Sequence, residues 1–280
     1  MGIFDGCLLA SDVDGTIESG GEVNPRNIEK IHYFISEGGH FSLASGRGPE
    51  GVLPVVRKLG EISASITSNG CVIYDTTNKK VLMGEYLPET DKHFVLDVLK
   101  NVPSTGIEVH AGDITYNVNR NKETDDHELH EEINARFVDI ADIMGIPWNK
   151  VIYMPIDNEG MQATIALTKG ESSSKFVHTC ANIDGIQRNY YEQLPQGVSK
   201  AAALSKLKKI YDVKENSLFA IGDYYNDLEM LRVADISAAT AEAPQEIKDE
   251  CDYIACGCAQ GAVGDFIDYL TEKFENKGRK

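Results

Sequence analysis

Short apolar runs that stop abruptly at polar, flexible residues recur along this chain. The first is Leu8-Leu9-Ala10-Ser11, which runs into Asp12-Val13-Asp14-Gly15-Thr16. It reads as a buried strand that delivers two carboxylates to its carboxyl end, where the ligand crevices of parallel α/β sheets open. Asn24-Pro25 then reads as a helix cap and first-turn proline, followed by Ile28, Ile31, Phe34 and Ile35 at helical spacing and closed by Gly38-Gly39. Phe41-Ser42-Leu43-Ala44 is a second strand, and it stops at Ser45-Gly46-Arg47-Gly48. Ser63 to Ser68 predicts a third strand leading into Asn69-Gly70. Cys71 to Tyr74 and Val81 to Tyr86 predict a hairpin.

From about Leu87 the character changes. Helical spacing at Phe94, Val95, Val98 and Leu99, then at Leu129, Ile133, Phe137 and Ile140, alternates with expected strands at Ile107 to Val109, Ile114 to Val118 and Gln162 to Leu167. The α/β rhythm resumes with Gly197-Val198-Ser199-Lys200, where Ser199 is an N-cap and Ala203, Leu204, Leu207 and Ile210 form an inner face. Leu218-Phe219-Ala220-Ile221 is another apolar strand, ending in Gly222-Asp223 with Asn226-Asp227 at the next helix. Short strands follow at Asp235 to Ala238 and Tyr253 to Ala255, then a helix carrying Val263, Phe266, Ile267 and Leu270. The expected architecture is α/β: a doubly wound, mostly parallel, Rossmann-like core sheet formed by residues 1–86 and 187–280. An α+β module, residues 87–186, is inserted into it.

Composition narrows the partners. The net charge of −17 argues against nucleic acid, whose backbone demands clustered Lys and Arg, while a small anion needs only a few local cations. No run reaches membrane-spanning length and the first residues lack a basic region before an apolar one, so a cytoplasmic protein is expected, monomeric or weakly homo-oligomeric. Of the six cysteines only Cys251, Cys256 and Cys258 cluster, without a nearby His, and they read as reduced thiols. His127-Glu128-Leu129-His130 has its histidines three apart, not the four of a zinc helix. Among Asp125, Asp126, Glu131 and Glu132 it reads as a solvated helix start.

The chemistry sits at the strand ends. Asp12 and Asp14, with a main-chain carbonyl freed by the turn at Gly15, suit a small hard cation such as Mg²⁺, which prefers oxygen ligands; ordinary turn chemistry fits this one motif equally well. Asp223 brings a further carboxylate to a strand end. A carboxylate can attack phosphorus and split a hydrolysis into two easier steps, and the transferred group needs donors and cations at its equatorial oxygens. Ser45 and Lys200 meet that need, with the backbone amides around Asp14 and Gly46. Lys200 at a helix start opposes the macrodipole, a local conflict that a binding site explains.

Four ordered motifs, Asp12-Val13-Asp14-Gly15-Thr16, Ser45-Gly46-Arg47, Gly197-Val198-Ser199-Lys200 and Gly222-Asp223-Tyr224-Tyr225-Asn226-Asp227, resemble the haloacid dehalogenase superfamily, in particular its Cof-type (subfamily IIB) phosphatases with a large α/β cap. Ser68-Asn69-Gly70 fits the same pattern. Thr240-Ala241 departs from it, standing where the family has Asn-Ala. The resemblance implies an Mg²⁺-dependent phosphatase acting on a small phosphorylated metabolite, a sugar phosphate being the commonest class, through an aspartyl-phosphate. It implies Asp12 as nucleophile, Asp14 as general acid and base, and Asp12, the Asp14 carbonyl and Asp223 as metal ligands. Gly46, Arg47, Asn69 and Asn226 would bind phosphate or substrate, Asp227 would hold a metal water or Lys200, and the cap would set specificity. A phosphomutase of the same superfamily and a noncatalytic phosphometabolite sensor are the other readings.

Overall fold

The computed structural model describes residues 2–183 and 186–278, with only the backbone path given for 180–183, 186–187 and 276–278. The chain folds as two compact units: Met1–Gly46, Leu53–Lys80 and Ser199–Lys280 form the first, and Arg47–Val52 with Val81–Val198 the second.

The first unit is built on a five-stranded parallel sheet. The strand Leu8–Ser11 lies between His40–Leu43 and Leu218–Gly222; Ile236–Ala239 and Tyr253–Ile254 extend the sheet beyond Leu218–Gly222. All four residues of Leu8–Ser11 are buried, as a central strand covered on both faces requires. Leu8 and Ala10 pack with Leu204, Leu207, Ala220 and Met230 in one core cluster. Helix Pro25–Ser36, capped by Asn24 through its bond from the Arg26 N–H, carries Ile31 and Phe34 into the interior as the spacing predicts. The strand expected from Ser63 to Ser68 is shorter, Ser65–Thr67. It pairs antiparallel with Val72–Asp75, and a bridge between Ala44 and Ile66 joins it to the edge of the parallel sheet.

The second unit is a six-stranded sheet in the order Arg136–Phe137, Ile114–Asn119, Gly106–Ala111, Lys150–Met154, Ile186–Pro195, Ser174–Ile183, antiparallel except for its first pair. Its core centres on the fully buried Trp148, whose Nε1 donates to the Ile143 carbonyl, with Val95, Val98, Val109 and Tyr153 around it. Residues 187–195, assigned from sequence to the core, run in this sheet, which continues the second unit to Val198.

Three local readings of this region are corrected. Gln162 to Leu167 is part of helix Asn158–Leu167, because Asp157 accepts the Gly160 N–H at 2.8 Å and starts a helix that buries Met161 and Thr164 three apart. The helical spacing through Phe137 breaks at Glu132, which turns left-handed at φ 52°, and residues 136–137 pair as a strand with Tyr116 and Asn117. Leu129 and Phe137, which carried that spacing, are exposed. The expected solvated start at His127 is a buried one: His127 is 4% exposed and stands between Glu108 and Glu131. Among the described residues no helix is long and apolar enough to cross a membrane.

Candidate active site

Parallel pairing brings the carboxyl ends of the strands to one edge of the sheet. Ser11 is level with Leu43 and with Ile221, so Asp12 emerges beside Ala44 and Gly222, one residue from Ser45 and from Asp223. The Asp12 N–H donates to the Ile221 carbonyl at 3.0 Å, which keeps this register to the last residue.

The turn after Asp12 depends on glycine. Gly15 adopts φ +82°, and a Cβ there would come 2.5 Å from Asp223 Oδ2. A side chain at 15 would therefore be strained and would push Asp223 away. Thr16, fully buried, donates from Oγ1 to Asp223 Oδ1 at 3.3 Å. No role was assigned to Thr16 from sequence, though its signal was already present in the Asp12–Thr16 motif.

Lys200 reaches the same point from the first turn of helix Lys200–Ile210, which Ser199 caps through its bond from the Ala202 N–H. Its ammonium lies 2.5 Å from Asp12 Oδ1 and 2.7 Å from Asp227 Oδ1, with all three groups buried. Two carboxylates thus outweigh the unfavourable position of a cation at a helix N-terminus. Asp227 is fully engaged: its Oδ2 also accepts the N–H groups of Asp223 and Tyr224, at 3.1 and 3.3 Å. It therefore fixes both Lys200 and the loop that carries Asp223.

A second group of predicted residues meets alongside. The Asn69 N–H donates to the Ser45 carbonyl at 3.0 Å, and the Asn69 side chain closes on Gly46. Gly70, at φ +98°, brings its Cα so near the Ser199 carbonyl that a Cβ would sit 2.3 Å from that oxygen. The Ser68–Gly70 turn is thereby seated against the start of the Lys200 helix. Asp14 and Asn226 have exposed side chains. Arg47 packs within the second unit, and Thr240, fully buried, donates its N–H to the Gly222 carbonyl at 3.2 Å.

The charges are unbalanced. Burial, then the Asp227 carboxylate, push Asp12 well above the ordinary carboxylate range against the pull of Lys200. Burial and again Asp227 push Asp223 up to about 7. Burial alone would lower Lys200, but Asp12 and Asp227 prevail and hold its ammonium above the ordinary value. Carboxylate oxygens of Asp12, Asp223 and Asp227 all come within 4.8 Å of one another, an all-oxygen set that suits a hard divalent cation. A cation there would relieve the like-charge repulsion that raises Asp223.

This excess has a measurable consequence. Without a cation, Asp223 holds its proton to about pH 7 in the folded chain but only to 3.8 when unfolded, so the folded state binds the extra proton between those values. Its contribution to stability is complete below pH 3.8 and is lost as the pH rises through about 7. Thermal melts in chelator are expected to show a fall in midpoint across this window that is smaller in Asp223→Asn; an equal fall in both proteins would contradict the assignment.

The chain belongs to the haloacid dehalogenase-like hydrolases, whose family model matches residues 9–267. Among them it is a phosphatase of the Cof type. It is 25% identical to the 5-amino-6-(5-phospho-D-ribitylamino)uracil phosphatase YwtE of Bacillus subtilis, over 94% of this chain and 97% of that protein. The solved structure of the HAD subclass IIB sugar phosphatase BT4131 superposes with a TM-score of 0.77 at 16% identity, covering 95% of this chain and 99% of that one. A chloroplastic endoribonuclease, YBEY of Arabidopsis thaliana, is 24% identical over 91% of this chain, which spans only 45% of that protein's length.

Proposed function

We propose that this phosphatase hydrolyses the phosphate monoester of a small metabolite, most simply a sugar or polyol phosphate, with Mg²⁺ as cofactor. The observation that carries the reading is the buried Asp12 carboxylate held 2.5 Å from Lys200, which Asp227 in turn holds at 2.7 Å. An oriented carboxylate beside a fixed cation is what in-line attack on a phosphoryl group requires.

In this reading Asp12 attacks phosphorus and becomes an aspartyl-phosphate, and the P–O bond to the metabolite breaks. Asp14, exposed at the same strand end, gives its proton to the departing alkoxide. It then takes a proton from the water that attacks the aspartyl-phosphate, releasing inorganic phosphate and restoring Asp12 as the carboxylate and Asp14 as the acid. Lys200, Ser45, the amide of Gly46, Asn69, Arg47 and Asn226 answer the charge on the phosphoryl oxygens. Mg²⁺ would be held by Asp12, Asp223 and the Asp14 main-chain carbonyl, and when bound it supplies positive charge to a phosphoryl oxygen. Thr16 and Asp227 keep Asp223 and Lys200 in place.

The substrate class rests on chemistry that both compared proteins share by name, a phosphorylated ribityl compound for one and sugar phosphates for the other. The second unit is assigned the choice of metabolite, since nothing at the strand ends of the first distinguishes one alcohol from another. The cytoplasm and a monomer or weak homo-oligomer complete the reading.

A phosphate-release screen over sugar, polyol and nucleotide monoesters tests it. Release from a subset of sugar or polyol phosphates, present with Mg²⁺ and abolished by chelator, is the expected result. Group transfer between positions of one sugar without free phosphate would indicate a phosphomutase instead, and binding without turnover a sensor.

A further inference from the structure

The side chain of Asp14 is exposed, so its aim is set by the backbone that carries it. That backbone is a closed turn. The N–H groups of Thr16, Ile17 and Glu18 all donate to the Val13 carbonyl, at 3.3, 3.0 and 3.0 Å, and the Gly15 N–H donates to the Glu18 carbonyl at 3.0 Å. A bridge pairs Asp14 with Glu18. From Glu18 the chain runs directly into a hairpin, Glu18–Ser19 paired with Glu22–Val23, joined by Gly20 and Gly21 at φ +58° and +76°. A hairpin of two residues a side is not stable by itself in water, so whatever holds it also holds the Asp14 turn.

Asn27 supports this segment from one helix and Lys58 from another. Asn27, fully buried on Pro25–Ser36, donates to the Ile17 carbonyl at 3.3 Å and accepts the Gly264 N–H at 2.9 Å. Lys58 stands in the last turn of helix Pro49–Leu59, in the part of it that belongs to the first unit. Its ammonium lies 2.9 Å from Glu18 Oε1 and also donates to the Gly21 carbonyl, so one cation ties the base of the hairpin to its tip. Glu18 is only 7% exposed, a setting in which a carboxylate needs a partner. A helix C-terminus favours a cation, but Arg57 in the same turn already answers the macrodipole, which does not direct Lys58 to groups 40 and 37 positions earlier. Lys58 is itself a third exposed, which keeps the contribution of the pair to overall stability small.

We propose that Lys58, through its ion pair with Glu18, is a positioning residue for Asp14, fixing the turn so that the carboxyl meets the oxygen of the leaving group. This rests on the reading of Asp14 as proton donor given above. Proton transfer needs the two heavy atoms about 2.6–3.2 Å apart, and a misplacement of about 1 Å in a reacting geometry can cost on the order of 10²-fold in rate. A turn continued by a two-residue hairpin reaches that precision only if the hairpin is pinned.

The test is a double-mutant cycle on the full chain with Mg²⁺, measuring kcat/KM for phenyl phosphate and p-nitrophenyl phosphate, two esters of similar shape whose leaving groups differ in their need for a proton. Lys58→Met is expected to lower kcat/KM for phenyl phosphate by roughly tenfold, part of the contribution of a general acid, and that for p-nitrophenyl phosphate by no more than about twofold. Lys58→Arg, which keeps the cation, is expected to restore most of the loss. In a Glu18→Gln background Lys58→Met is expected to cost nothing further. An equal loss for both esters, no loss for either, or losses that add in the double variant would overturn the inference. If Asp14→Asn itself fails to separate the two esters, the reading of Asp14 falls and the inference with it; if Asp14→Asn separates them and Lys58→Met does not, the inference alone falls. Should Lys58→Met fail to give a cooperative melt, Glu18→Gln carries the same expectation, since it keeps the shape of the side chain and removes the charge that Lys58 holds.

Discussion

Asp12→Asn is expected to abolish phosphate release, by ~10⁴-fold or more, in a chain that still folds. An amide cannot form the aspartyl-phosphate, and the two carboxylates grouped with Asp12 are engaged in other bonds. Asp227 has both oxygens engaged by Lys200 and by two backbone amides, and Asp223 is held by Thr16. Folding is expected to survive because Lys200 keeps its 2.7 Å partner in Asp227 and one of the crowded buried charges is removed. Phosphate-release assays beside a melting curve check both halves. A folded variant with wild-type turnover would remove Asp12 from the chemistry.

Asp14→Asn is expected to divide substrates by their leaving groups. A sugar alkoxide needs its proton in the transition state, whereas a nitrophenolate departs as an anion, so the loss for a sugar phosphate should be on the order of 10²–10⁴-fold and that for the first step with an aryl phosphate much smaller. The main-chain carbonyl of residue 14 is unaltered by the change, so a metal contact through it is retained. Dephosphorylation of Asp12 would still lack its base. The expected record is a burst of nitrophenolate equal to the enzyme concentration followed by slow turnover. Equal slowing for both ester types, with no burst, would mean that Asp14 does not carry the proton.

Much of the first unit is written in local sequence. Leu8–Ser11, His40–Leu43, Leu218–Gly222 and Ile236–Ala239 are apolar runs of strand length, and a parallel sheet buried on both faces leaves little else for them to be. Because all of them run the same way, reading their carboxyl ends was enough to gather Asp12, Ser45 and Asp223, and the cap at Ser199 was enough to start the helix that delivers Lys200. What local pattern could not give is partnership across the sheet. The division of Asp227 between Lys200 and the Asp223 loop, and the bond from Thr16 to Asp223, depend on side chains more than 25 and 200 residues apart meeting in three dimensions.

The second unit was less legible for a related reason. The hairpin strands Ser174–Ile183 and Ile186–Pro195 mix Lys175, His178, Glu192 and Gln193 with their apolar residues, so no clean alternation marks them. Glu192 and Gln193 are nevertheless buried, neutralised by Lys150 and by hydrogen bonding to Tyr153, partners that only the folded sheet supplies. His127 was misread on the same ground. Its acidic neighbours in sequence imply solvent, yet the two carboxylates that matter include Glu108, nineteen positions earlier on another element.

Passage of the phosphoryl group through Asp12 is tested most directly by chemical trapping. Rapid acid quench during turnover of p-nitrophenyl phosphate, followed by borohydride reduction and peptide mapping, converts an acyl phosphate on an aspartate into homoserine. The expected result is homoserine at position 12 alone, absent when substrate is omitted and accumulating in Asp14→Asn. Steady release of phosphate with residue 12 unmodified throughout, or with the modification on a different carboxylate, would contradict the mechanism.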